Sequence, residues 1–158
     1  MTRPDAVVVD MDGTLTVRRF GGESHETYRP QLWDPAARTP YDWDRVGEDP
    51  PNPPMVTLVR VLHRAGLGIV VTSGRSEVCR SETSQWLHRH GILHDALHMA
   101  TIAESESGTP DSEVKRRIYT ELVAPEWFVI AAFDDRDQVV ETWRDLGLMC
   151  AQVGPGNF

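Results

Sequence analysis

Asp10 and Asp12 stand two residues apart in Asp10-Met-Asp-Gly-Thr14, directly after the apolar run Ala6–Val9. Two further apolar runs end the same way. Gly68–Thr72 leads into Ser73-Gly74-Arg75, and Trp127–Phe133 leads into Asp134-Asp135-Arg136. Carboxylates, a hydroxyl and a guanidinium gathered in this way suit phosphoryl transfer. A phosphate monoester repels nucleophiles, so its site must supply positive charge and alignment. Magnesium takes hard oxygen ligands, usually one or two carboxylates completed by phosphate and water. Asp10, one of Asp134 and Asp135, and a backbone carbonyl at or near Asp12 can supply them. Asp10 beside such an ion can attack phosphorus and split one hard displacement into two easier ones. Asp12, where the chain leaves the run, can reach the leaving oxygen, give it a proton, and later take one from water. A lone D-x-D-G-T is also an Asx-rich turn, and the agreement of three run ends weighs against that plainer reading.

These residues need a frame. Short apolar runs ending in acidic residues are the pattern of buried parallel strands, and Leu97–Ala100 and Met149–Val153 are shorter examples. Helical spacing lies between them. Met55, Leu58, Val59 and Leu62 precede Gly66, and Val78, Trp86 and Leu87 precede Gly91. Val114, Ile118 and Leu122 recur at i, i+4, i+8, and Val139, Val140, Trp143 and Leu146 precede Gly147. Strands alternating with helices predict an α/β fold: a doubly wound, Rossmann-like parallel sheet with helices on both faces. Ligands of such sheets gather at the carboxyl ends of the strands, where the three clusters fall. Residues 16–54 break the rhythm and read as an irregular Pro-rich insertion near the site. Its last stretch, Asp49–Pro54, reads as a stiff extended connector.

Length and composition bound the rest. A chain of 158 residues, 40% hydrophobic and 25% charged, predicts one soluble globular domain over 1–158. No apolar run approaches the ~20 residues of a membrane-spanning helix, and none fits a secretory signal. Cys79 and Cys150 form no C-x-x-C pair and read as reduced structural thiols, so a cytoplasmic location is expected. The net charge of −8 argues against a nonspecific nucleic-acid binder. It leaves open an enzyme that grips the end of a strand.

Asp10-x-Asp12-Gly-Thr, the Thr72-Ser73 run end, Lys115 and Asp134-Asp135 resemble the four signature motifs of haloacid-dehalogenase-type phosphatases. A narrower likeness runs through Arg38-Thr-Pro-Tyr-Asp42, Asn52-Pro-Pro-Met55, Ser73-Gly74-Arg75, Asp134–Arg144, Gln152-Val153 and Gly156–Phe158. In that order the chain is similar to the 3′-phosphatase domain of bacteriophage polynucleotide kinase-phosphatases. The resemblance implies Mg2+ as cofactor, Asp10 as nucleophile and Asp12 as general acid/base. It implies Ser73 and Lys115 on the phosphoryl group, and Asp134 and Asp135 on the metal directly or through water. Arg38 and Arg75 match active-site arginines, with Arg18 or Arg19 as alternatives to Arg38. Asp111 matches an acidic residue that orients Lys115. It also implies 3′-phosphorylated DNA or RNA ends as substrate, with a kinase or ligase chain, or a second copy, as candidate partners. No G-x-x-x-x-G-K-[ST] loop is present, so kinase activity is not expected of this chain.

Plainer roles stand beside these. Asp111 can be an N-cap, Lys115 a solvated helix lysine, and Arg75 a surface partner of Glu77. Asp137 reads as a first-turn helix carboxylate and Trp143 as core. Trp33, Tyr41 and Trp43 can stack on a nucleobase or pack the loop down. His88, His90, His94 and His98 carry no catalytic claim. The stretch from Arg75 to Lys115 has room for one helix, one strand and a short loop, and residues 14–55 are irregular. Neither holds a packed lid, so a minimal cap and a large or elongated substrate are expected. The alternatives are a lidless phosphatase of nucleotides or other small esters and a non-catalytic phosphate-sensing module.

Overall fold

The computed structural model describes residues 2–17, 36 and 38–156; Arg18, Arg19, Trp33, Asn157 and Phe158 lie outside the described residues. Five strands form one parallel sheet: β1 (Asp5–Asp10), β2 (Gly68–Ser76), β3 (Ala96–Ala100), β4 (Phe128–Asp134) and β5 (Cys150–Gln152), in the order β3-β2-β1-β4-β5. The chain winds outward from β1 to β3, then crosses back to β4 and β5. The switch point between β1 and β4 is where such a sheet opens a ligand crevice.

Successive strand residues face opposite sides, and β1 shows it in the core. Val7 and Val9 pack with Val56, Val59, Trp86 and Leu87 from α1 (Pro53–Arg64) and α2 (Arg80–Arg89). Ala6 and Val8 pack with Val114, Ile118, Val139 and Trp143 from α4 (Asp111–Ile118) and α5 (Asp137–Asp145). Every described strand belongs to the one sheet, and no described helix is long and apolar enough to cross a membrane.

Several local readings are corrected. Pro53 and Pro54 do not belong to the connector. They open α1, where proline is tolerated because the first helical N–H groups have no partner within the helix. β2 does not stop at Thr72 but runs to Ser76, with its pairing to β3 shifting between Ser73 and Ser76. Between β3 and α4 a short helix, α3 (Ile102–Ser107), replaces the expected loop, opened by a capping box between Thr101 and Glu104. Within the irregular segment, Trp43–Glu48 forms a 3-10 helix that buries Val46.

Candidate active site

The sheet register assembles the site. Val9 of β1 pairs with Phe133 of β4, and Asp10 pairs with Thr72 of β2. Asp10 at the end of β1, Asp134 at the end of β4 and Thr72 within β2 therefore lie at one level on three adjacent strands. Asp10, Asp134 and Asp135 are buried, and one ligand oxygen from each lies within 4.8 Å of the others. Gly13 lets this happen. Its φ is +92°, and a Cβ there would fall inside the Asp135 carboxylate.

Lys115 reaches the carboxylates from α4. It is 0% exposed, and Nζ donates to Asp10 Oδ1 at 2.6 Å and to Asp134 Oδ2 at 2.9 Å. The solvated-lysine reading is thereby excluded. Burial works against the ammonium, but Asp10, Asp111 and Asp134 outweigh it and hold its pKa well above the usual lysine range. Burial likewise pushes the Asp10 carboxyl well above its ordinary range; Lys115 opposes this, while Asp134 and Asp135 reinforce it. Trp143 is core, as expected, but its Nε1 also donates to Asp134 Oδ2 at 3.1 Å.

Asp111 is not an N-cap: Pro110 holds that position and Asp111 is the first residue of α4. Its Oδ2 lies 4.0 Å from Lys115 Nζ and 4.0 Å from an Arg136 nitrogen. A Cβ at position 74 would run into its Oδ1, so Gly74 gives that carboxylate its place. Ser73 is buried on β2, and its Oγ accepts from the Arg75 N–H at 3.2 Å.

The Asp12 carboxylate is held by two arginines. Arg75 donates to both its oxygens at 2.8 Å, and Arg38 Nη2 donates to Oδ1 at 3.0 Å. Arg75 is 1% exposed and has no surface pairing with Glu77, which instead binds Arg80. Asp49, absent from the sequence-based site, completes the cluster. It accepts from Arg38 Nε at 2.8 Å, from Arg38 Nη2 at 2.7 Å and from Arg75 Nη2 at 2.7 Å. Two guanidiniums therefore face two carboxylates. Trp86 Nε1 holds the Asp49 carbonyl at 2.7 Å, and Asn52 Nδ2 holds the Thr14 carbonyl at 2.9 Å. Asp137 is a helix-start carboxylate and accepts from Gln152 Nε2 at 2.6 Å.

The trio suits a hard divalent cation. Three buried carboxylates face one buried ammonium, and the excess negative charge is of the kind an oxygen-ligated ion offsets. Polar atoms also await a partner: Thr14 Oγ1, Thr72 Oγ1 and Asp111 Oδ1 are buried and take no hydrogen bond among the described residues. Buried polar groups are normally satisfied, so a polar ligand fits here.

The architecture has counterparts among known proteins. A chain of the solved Pnkp1/Rnl/Hen1 complex matches with a TM-score of 0.83 at 28% identity, over 100% of this chain and 48% of that one. A candidate bifunctional polynucleotide kinase/RNA ligase of Autographa californica nuclear polyhedrosis virus is 29% identical over 145 residues, 90% of this chain and 18% of that protein. The chain thus spans less than half the length of these relatives. The class C acid phosphatase of Bacillus anthracis shares the fold at 15% identity, with a TM-score of 0.62 over 99% of this chain and 68% of its own. The model of the polynucleotide kinase PNKP phosphatase domain matches residues 4–158, and the chain belongs to that family.

Proposed function

We propose that this domain removes the terminal phosphate from the 3′ ends of DNA or RNA, through an aspartyl-phosphate on Asp10 and with Mg2+ held by Asp10, Asp134 and Asp135. One observation carries the reading: a buried carboxylate trio, two of its members bound by Lys115, is accompanied by a fourth carboxylate, Asp12, clamped by two arginines. Magnesium, when bound, offsets the charge of the phosphate and of the trio.

The chain's own residues do the rest. Asp10 attacks phosphorus, and the bond from phosphorus to the 3′-oxygen breaks. Asp12 gives that oxygen its proton, then takes one from the water that hydrolyses the acyl phosphate. Lys115 and Ser73 hold the transferring group, and Asp111 supports Lys115 from the next turn of α4. Arg38 and Arg75 act through Asp12, fixing its carboxylate in one orientation with Asp49 as their common counter-charge. The family and the viral relative named as a polynucleotide kinase/RNA ligase support a nucleic-acid end as substrate. They also support a kinase or ligase, on the same polypeptide or another, acting on the same ends.

The test is phosphate release from matched oligonucleotides. Those with a 3′-phosphate should be turned over and those with a 5′-phosphate should not; preference for mononucleotides or sugar phosphates would replace this reading with a small-ester phosphatase. The metal has its own check. Chelation should abolish turnover and Mg2+ restore it, with Ca2+ a poor substitute. Mg2+ should also raise the melting temperature of the parent but not of Asp135→Ala; full activity in excess chelator would refute the metal assignment.

A further inference from the structure

Among the described residues Tyr41 is the most exposed of the large apolar side chains, at 77%, yet the turn that carries it is tightly held. Thr39 N donates to Asp42 Oδ2 at 2.8 Å, and Tyr41 N donates to Thr39 Oγ1 at 3.4 Å. Arg38 Nη1 donates to the carbonyls of Thr39 at 3.1 Å and Pro40 at 3.4 Å. The same guanidinium holds Asp12 through Nη2 at 3.0 Å. One side chain therefore ties the acid/base carboxylate to the turn bearing Tyr41. The ring is oriented as well. Trp43 packs against the core under α1 and α2, and its ring meets Tyr41 edge to face, with centroids 6.1 Å apart at 87°.

Resting on the 3′-end reading above, we infer that Tyr41 is a specificity-determining residue, a stacking platform for the base of the terminal nucleotide. Asp12 must face the 3′-oxygen that leaves, so the sugar and base joined to that oxygen emerge on the Asp12 side of the site. Arg38 places Tyr41 on that side. A stacked base accounts for a large apolar ring kept in solvent on a pinned turn. Tyrosine offers a rigid face at small entropic cost, and stacking accepts every base, as suits an enzyme that acts on ends rather than sequences. The ring also explains how an acidic domain can grip a strand end without a broad basic surface.

The experiment compares three substrates: an oligonucleotide with a 3′-phosphate on a normal terminal nucleotide, the same strand with an abasic terminal residue, and an aryl phosphate. Tyr41→Ala should lower kcat/KM on the first by about 5- to 100-fold and leave the other two unchanged. Tyr41→Phe should retain parental efficiency on all three, because the stacking face remains. The wild-type protein should by itself favour the normal terminus over the abasic one by a similar factor, a comparison that needs no variant to fold. Equal turnover of normal and abasic ends by the wild type would overturn the inference while leaving the substrate class intact. So would an equal loss on the aryl phosphate in Tyr41→Ala, since the ring would then be supporting Arg38. A wild-type protein inert on both 3′-phosphorylated strands would overturn the substrate reading itself, and the inference with it.

Discussion

Asp10→Asn is expected to abolish phosphate release from every ester, oligonucleotide and aryl phosphate alike. Removal of a covalent nucleophile elsewhere costs roughly 10^4-fold or more in kcat, and an amide oxygen cannot form the acyl phosphate. The fold should survive. Lys115 keeps Asp134 at 2.9 Å and Asp111 nearby, and the amide oxygen still accepts. Stability should even move the other way in chelator. Burial pushes the Asp10 carboxyl well above its ordinary range in the folded chain, against the pull of Lys115. A carboxyl raised on folding costs stability above its folded pKa, and the cost fades as pH falls toward its unfolded value. Asparagine carries no such cost, so the variant should melt at or above the parent's temperature in chelator at neutral pH. Asp12→Asn should behave differently. It should retain the first step on aryl phosphates, whose leaving groups need no proton, and lose the step on a nucleoside 3′-oxygen. Residual turnover by Asp10→Asn on any substrate would assign the nucleophile elsewhere.

The strands and the clusters at their ends were legible because burial writes them locally. A parallel strand covered on both faces is a short continuous apolar run, and a ligand crevice sits where such runs stop. Asp10, Ser73, Asp134 and Asp135 needed nothing further. Lys115 was legible as a spacing, but its burial was not. A lysine followed by two arginines and close to Glu113 looks solvated until α4 is laid against β1. Asp49 was illegible for a related reason. Its partners lie 11 and 26 residues away, and the prolines that follow it signal a connector rather than a site. Arg75 was singled out by resemblance, but its pairing with Asp12 and Asp49 was hidden the same way, since Glu77 is a nearer partner in sequence. Local spacing reports which residues share a face; it does not report which loop folds over that face. The extent of β2 was misjudged because Ser73-Gly74 reads as a turn, whereas the chain stays extended through the shift in its pairing with β3.

The pairing of two guanidiniums with two carboxylates leads to the second large effect, Arg75→Ala. Arg75 is 1% exposed and its guanidinium donates four hydrogen bonds, two to Asp12, one to Asp49 and one to Thr83 Oγ1 at 3.2 Å. Its removal takes away one of the two guanidiniums that Asp12 and Asp49 share and leaves a cavity where the side chain lay. Breaking a buried ion pair typically costs about 3–5 kcal/mol. The Asp12 side chain is 24% exposed, so the lower end, roughly 3 kcal/mol, is expected in urea unfolding. Activity should fall further than stability explains. An acid/base group free to rotate gives up most of the ~10^2- to 10^4-fold that positioned proton transfer contributes, and the loss should be greater for a nucleoside 3′-oxygen than for an aryl leaving group. Arg75→Lys separates charge from geometry. Lysine keeps the positive charge but cannot span Asp12 and Asp49 with a planar fork. It should recover part of the stability and little of the activity on oligonucleotides. Parental kcat/KM in Arg75→Lys would show that charge alone suffices at this position, and that the orientation of Asp12 is set by Arg38.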